Sequence, residues 1–237
     1  MGDRGSAPRT HAMLLPAASH WAVTILSKAT QRVKPSPAST AGTARQSGGT
    51  GTQSLPPEIR PGQSIELLKA LHILTVDGRM NQDSRRKLKQ VYHLTQFIEP
   101  LIAQTVAERG RVNLVDHGAG KSYLGFILHD LVLKSLPQPH HMFGIETRAA
   151  LVENSRALAA RSGFNDLSFL NLSVAEAVSA PDLDVPIDIV TALHACDTAT
   201  DDAISFALAK KAKFIVLVPC CQAEVAAFLR NDRDEAR

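Results

Sequence analysis

Three groups of residues in this 237-residue chain have the types and spacing to do chemistry. The first is Asp116-His117-Gly118-Ala119-Gly120, placed directly after the apolar run at 112–115. Glycines here let the backbone approach a ligand closely, and a helix beginning just after them would offer its free N–H groups. The second is Glu146, whose carboxylate can accept both hydroxyl hydrogens of a ribose. The third comprises His194-Ala195-Cys196-Asp197 and Pro219-Cys220-Cys221. Imidazole, thiols and a carboxylate suit a nucleophile, a metal site or the polar wall of a substrate site.

These groups need elements to position them. Residues 112–115 read as a buried strand, and Ser122, Leu124, Ile127, Leu128, Leu131 and Val132 repeat with helical period across 121–134. Strands are predicted at 142–146, 167–173, 188–195 and 214–219, with helices at 150–162 and 200–212 and another starting at 223. Gly163 suits the end of the 150–162 helix. Ahead of them, Ser64 caps a short helix, and residues 84–109 read as a long helix capped by Asp83 or Ser84. Pro100 is expected to end or bend that helix. Strands alternating with helices predict an α/β fold, a Rossmann-like doubly wound parallel sheet. Right-handed crossovers bring all strand C-termini to one edge, and with them the three groups.

Charge divides the chain. Before residue 55, Asp3 is the only acid, set against Arg4, Arg9, Lys28, Arg32, Lys34 and Arg45. The net positive charge of +3 therefore comes from this tail and implies no basic face on the domain. Residues 35–57 are rich in Pro, Ser, Thr and Gly and cannot bury enough apolar surface to order themselves. Residues 13–34 suit a short amphipathic helix. Residues 1–62 are accordingly read as a disordered low-complexity tail and 63–237 as one domain. The three cysteines are odd in number and two are adjacent, which argues against a disulfide framework and for a reducing compartment. A cytoplasmic location is expected, with organelle targeting by the acid-poor N-terminal segment as the alternative. No apolar run reaches the roughly 18 residues of a membrane span.

Three loop chemistries compete at 116–122. A dinucleotide G-x-G-x-x-G needs glycine where Tyr123 stands. A P-loop ends as Gly120-Lys121-Ser122 does, but its first glycine falls on Val115. The remaining pattern, D-x-G-x-G after a strand, resembles motif I of the class I S-adenosylmethionine-dependent methyltransferases.

The cysteine-bearing loops also admit several readings. Zinc on His194, Cys196, Cys220 and Cys221 is disfavoured because adjacent cysteines seldom ligate one ion, so no metal set is assigned. A zinc deaminase pattern lacks its glutamate, replaced by Cys196, and its second cysteine, replaced by Ala223. Cysteines after the fourth and fifth strands also resemble the nucleophiles of cytosine-5 RNA methyltransferases, without matching flanks. The plain alternative is thiols packed as small apolar groups.

Taken together, the basic helix Arg85-Arg86-Lys87-Leu88-Lys89, the D-x-G-x-G-K-S loop, the strand-end Glu146, H-A-C-D-T-A-T-D and V-P-C-C resemble one methyltransferase-domain family. That family includes the methyltransferase-like part of the glutathione S-transferase C-terminal domain-containing protein, and the resemblance covers about residues 64–230. It implies S-adenosyl-L-methionine as cofactor. Asp116, Gly118 and Gly120 would hold its methionine end and ribose, Glu146 its ribose hydroxyls, and Ser173 and Val174 its adenine. His194, also counted as a cofactor contact, would border methyl acceptor and cofactor together with Cys196 and Asp197. Cys220 is the further catalytic candidate, and Lys89, Gln90 and His93 would close over the methionine carboxylate. The acceptor is RNA or protein, the alternative function being an inactive Rossmann-like module that binds either one. Arg79, Arg85, Arg86, Lys87 and Lys89 form the basic cluster that an RNA would use. One departure stands out: only 16 residues follow Cys221, and none reads as a strand. The sheet is therefore expected to lack its C-terminal strands and to expose the edge of its last strand.

Overall fold

The computed structural model describes residues 55–193 and 198–218, and in addition the strand Ala22–Ile25. The alternating apolar runs form the strands β2 (Val112–His117), β3 (His140–Ile145), β4 (Leu167–Leu170), β5 (Ile189–Leu193) and β6 (Phe214–Val218). With β1 (Ala22–Ile25) they make one six-stranded sheet in the order β1-β6-β5-β2-β3-β4, every pair parallel. The doubly wound α/β architecture read from the sequence is the one observed. β2 and β5 pair at its centre, with Val115 opposite Val190 and Asp116 opposite Thr191. From β2 the chain steps outward through β3 and β4, and the later strands lie on the other side. The switch thus falls between the C-terminal ends of β2 and β5, where open α/β sheets take their ligands.

The outer side of β6 differs from expectation. It is paired along its length, Ala22 to Phe214 through Ile25 to Leu217. The N-terminal segment predicted as helix is extended over these four residues. Ala-Val-Thr-Ile is mostly β-branched, and such residues favour a pleated partner over a helix.

Among the described residues, six α-helices flank the sheet: α1 (Ile65–Ala70), α2 (Gln82–Arg109), α3 (Tyr123–Leu131), α4 (Ala149–Ser162), α5 (Val174–Ser179) and α6 (Thr198–Ala209). Alternate strand residues point to opposite faces and build two cores. Leu114, Met142, Ile189 and Val216 pack with Leu88 and Ile98 of α2, Phe126 of α3 and Val152 of α4. Val115, Phe143, Val190 and Ile215 pack with Ala177 of α5 and Phe206 of α6.

Local chemistry sets the helix ends. Ser64 accepts from the Leu67 N–H, as its type predicts. For α2 the cap is Asn81, which accepts from Ser84 N–H at 2.8 Å, so the helix starts earlier than Asp83 or Ser84 would allow. Pro100 does not end α2. It removes one N–H, whose partner carbonyl belongs to Gln96, and both residues are exposed, so water can serve that carbonyl. Gly110 closes the helix in the left-handed conformation, φ 69°. At the sheet edge away from the switch, fully buried Asp188 accepts from the Asn113 N–H and from Arg111 at 3.0 Å, fastening β5 to β2.

Candidate cofactor-binding site

β2 delivers Asp116 to the switch edge as a nearly buried carboxylate, 2% exposed. Its one described hydrogen-bond donor is the Thr191 hydroxyl of β5, 2.8 Å from Oδ1. Burial pushes the Asp116 carboxyl up to about 7, against the smaller opposing effect of Thr191. The next side chain, His117, turns to the other face and meets the Phe206 ring edge-on, its Nε2 buried without a partner. Burial lowers its pKa despite nearby Asp202, so it stays a neutral imidazole.

The loop then reverses through Gly118 and Gly120, both left-handed at φ 66° and 58°. Here glycine is needed for conformation, since side chains rarely adopt this region. Ala119 N–H donates to the Ile145 carbonyl at 2.9 Å, and Ser122 N–H to the Ala119 carbonyl at 2.7 Å. Gly120 N–H donates to Glu146 Oε2 at 2.9 Å. The loop after β2 and the acid after β3 are thereby one unit.

The P-loop reading has no support in this geometry. Ser122 is itself left-handed, φ 51°, and its hydroxyl is buried against Gly125 without a hydrogen-bond partner. A Cβ on Gly125 would come within 2.4 Å of that oxygen. The serine faces into the helix packing, away from any phosphate cradle.

Glu146 itself is only 7% exposed and is fully engaged. Oε1 accepts from the Arg148 N–H and from Arg148 Nε, each at 3.0 Å, and Oε2 accepts from Arg148 Nη2 at 3.0 Å. The Arg148 side-chain bonds are the main reason that Glu146 sits far down, at about 2; burial opposes them, and the N–H groups of Arg148 and Gly120 add to them. Arg148 was not anticipated from the sequence. It lies two residues beyond the acid across a turn, where no periodic pattern points to it.

A cavity of about 230 Å³ opens here, lined among others by Asp116, Gly118, Gly120, Tyr123, Arg148 and Leu193. Lys87 of α2 stands over the Tyr123 ring, so α2 borders the mouth. Lys89 and His93 are exposed on the same helix, His93 edge-on to Phe97. Asp116, Gly118, Gly120 and Glu146 are therefore brought together as the sequence predicts.

Ser173 and Val174 stand apart from this cavity. They begin α5, where Ser173 and Glu176 form a reciprocal capping box that occupies the serine hydroxyl. Their link to the site runs through Asn171, whose Nδ2 donates to the Glu146 and Thr147 carbonyls. His194, Cys196, Asp197 and Cys220 lie outside the described residues. Leu193, which lines the cavity, immediately precedes His194 in the chain.

The basic cluster is largely paired. Arg85 meets Glu58, Arg86 meets Asp83 at 3.4 Å, and Arg79 meets Asp77 at 2.9 Å. No helix among the described residues is long and apolar enough to cross a membrane.

No curated protein sequence matches the chain. Among solved structures it is similar to the METTL16 methyltransferase domain, with 11% identity over 59% of this chain and 57% of that one, TM-score 0.40. It is similar to a human methyltransferase 10 domain containing protein, with 10% identity over 60% and 70% of the two chains, TM-score 0.39. It is also similar to the bifunctional kinase-methyltransferase WbdD, with 17% identity over 42% of this chain, TM-score 0.33, and it spans 20% of that longer protein. A family model described as a methyltransferase domain matches residues 86–228, which is more than half of the chain and takes in the D-x-G-x-G loop, Glu146 and both cysteine-bearing segments. The chain belongs to this methyltransferase-domain family.

Proposed function

We propose that the chain is an S-adenosylmethionine-dependent methyltransferase acting on RNA or protein. The observation that carries this reading is the hydrogen bond from Gly120 N–H to Glu146 Oε2, which joins a glycine loop to a ribose-type acid at the sheet's switch point. When bound, S-adenosyl-L-methionine supplies a methyl group on a positively charged sulfur, already activated toward nucleophiles.

The chain's own groups then have separable tasks. Glu146 accepts the ribose hydroxyls after Arg148 turns outward, an easy motion for a side chain that is 67% exposed. Gly118 and Gly120 leave backbone open to the methionine end and ribose. Asp116 places a carboxylate at the wall of the cavity, where a cationic ligand favours its ionised form. Ser173 and Val174 flank the adenine. His194, Cys196, Asp197 and Cys220, which follow β5 and β6 in the chain, border the acceptor. Such transfer depends mainly on holding the acceptor in line, with little proton transfer.

A second reading, a module that binds cofactor or macromolecule without transfer, is favoured by one observation: Arg148 covers both oxygens of Glu146. The discriminating experiment supplies methyl-labelled S-adenosylmethionine and the purified chain to a cell extract. Label incorporated into nuclease-sensitive or protease-sensitive material supports transfer and names the acceptor class. Cofactor binding with no incorporation supports the module.

A further inference from the structure

At the opposite edge of the sheet, three side chains from three separate elements converge. His129 comes from the last turn of α3, His140 opens β3, and Asp166 immediately precedes β4. Their ligand atoms all lie within 4.8 Å of one another. One carboxylate serves both imidazoles: Asp166 Oδ1 is 2.5 Å from His129 Nε2, while Oδ2 contacts His140 Nε2. His129 is 3% exposed, the His140 side chain 10% and the Asp166 side chain 31%.

The tautomer of His140 makes this cluster informative. Its Nδ1 lies 2.8 Å from the Gln138 carbonyl oxygen, which can only accept, so Nδ1 carries the hydrogen. In the neutral ring Nε2 is then a bare lone pair. It faces Asp166 Oδ2 without forming a hydrogen bond. A buried lone pair aimed at a carboxylate oxygen is repulsive unless a proton or a metal ion lies between them. Donating one ring N–H to a backbone carbonyl, as His140 Nδ1 does to Gln138, is also how metal-ligating histidines fix the tautomer that leaves the other nitrogen free to ligate. His129 adds a second buried imidazole, held against the Phe164 ring at 4.0 Å between centroids.

We propose that His129, His140 and Asp166 form a binding site for a divalent transition-metal ion of the zinc class. Two imidazole nitrogens and one carboxylate oxygen are the ligand types that zinc accepts, at about 2.0–2.2 Å each. Tetrahedral bonds of that length separate ligand atoms by about 3.3 Å, so the cluster opens slightly to admit the ion. Asp166 can provide that movement from its loop position. Solvent takes the fourth place from the cleft of about 470 Å³ lined by His129, Lys134, Phe164, Asn165 and Asp166. The site is separate from the cofactor edge, because His140 and Glu146 lie at opposite ends of β3, six residues or about 20 Å apart. Its role is structural: the ion ties α3, β3 and the loop before β4.

The test uses the full chain without a histidine tag, titrated with Zn²⁺ against a chromogenic chelator and with Co²⁺ in the visible range. One Zn²⁺ per chain is expected, weakened at least about tenfold in His140→Ala and in Asp166→Asn. His141→Ala and Cys220→Ser should bind as the unaltered chain does. The Co²⁺ spectrum of the unaltered chain, which does not depend on any variant folding, should show a tetrahedral or five-coordinate band without thiolate charge transfer. Absence of saturable binding would overturn the proposal. So would unchanged binding in His140→Ala, or a thiolate band that disappears in Cys220→Ser.

Discussion

Gly120 and Glu146, 26 residues apart, share a 2.9 Å hydrogen bond from backbone N–H to carboxylate Oε2. A conformational glycine and a strand-end acid thus reinforce each other: the loop fixes the carboxylate, and the carboxylate satisfies a loop N–H that would otherwise need water. Altering either side should disturb both.

Asp116 links pH to stability and to binding. Its folded-state pKa is about 7 against an ordinary 3.8, so the folded chain holds an extra proton between these values. The stabilising contribution is complete below the unfolded value and is lost as pH rises through about 7. Asp116→Asn should therefore raise the thermal midpoint at pH 8, by at most about 4 kcal/mol in stability, and should have little effect near pH 4. For the unaltered chain, affinity for cationic S-adenosylmethionine should increase as pH rises through that range. Thermal scans and titrations at both pH values check this; a destabilising Asp116→Asn at pH 8 would contradict it.

Arg148 competes for Glu146. Glu146 is buried, but Arg148 is largely exposed, and the carboxylate keeps the Arg148 and Gly120 backbone N–H groups when the guanidinium is removed, so the fold should stay intact. Arg148→Ala should strengthen S-adenosylhomocysteine binding by about two- to fivefold, because the carboxylate no longer has to release a partner. Weaker binding in this variant would mean that Arg148 contacts the cofactor directly.

Gly144 is required by packing, not by its dihedral angles. A Cβ there would lie 2.6 Å from the Phe169 ring and 3.3 Å from the Ala119 Cβ. Gly144→Ala should cost about 1–3 kcal/mol and disturb the loop through Ala119. Denaturant unfolding together with cofactor titration measures both effects.

Much of the fold was legible because its strands are short apolar runs separated by helices with clear period and caps. Asp116, Gly118, Gly120 and Glu146 were legible because a turn and a strand end constrain residue type locally. Other features depend on distance. β1 is four residues in a tail with no repeating strand pattern, and its strand character depends on β6, nearly 190 residues later. The Thr191 hydroxyl on Asp116 bridges 75 residues, and His129 meets Asp166 across 37. No period in the sequence carries such information. The capping box at the start of α5 has a local signature, Ser173 with Glu176 three residues on.

The β1–β6 pair predicts a role for the N-terminal segment that its composition conceals. Deleting residues 1–54 removes β1 and leaves the outer side of β6 without its ladder. The thermal midpoint should fall by about 2–4 °C for each kcal/mol lost, and light scattering should detect association. An unchanged midpoint with a monodisperse monomer would show that β1 contributes nothing.

The central claim is that the loop after β2 and the acid after β3 together hold S-adenosylmethionine. Calorimetric titration of the full chain with S-adenosylhomocysteine tests it most directly, alongside Glu146→Gln and Asp116→Asn. The predicted result is one site with Kd on the order of micromolar, weakened about tenfold or more by each substitution while the variants remain folded. No heat of binding from a folded chain, or equal affinity in all three proteins, would contradict it.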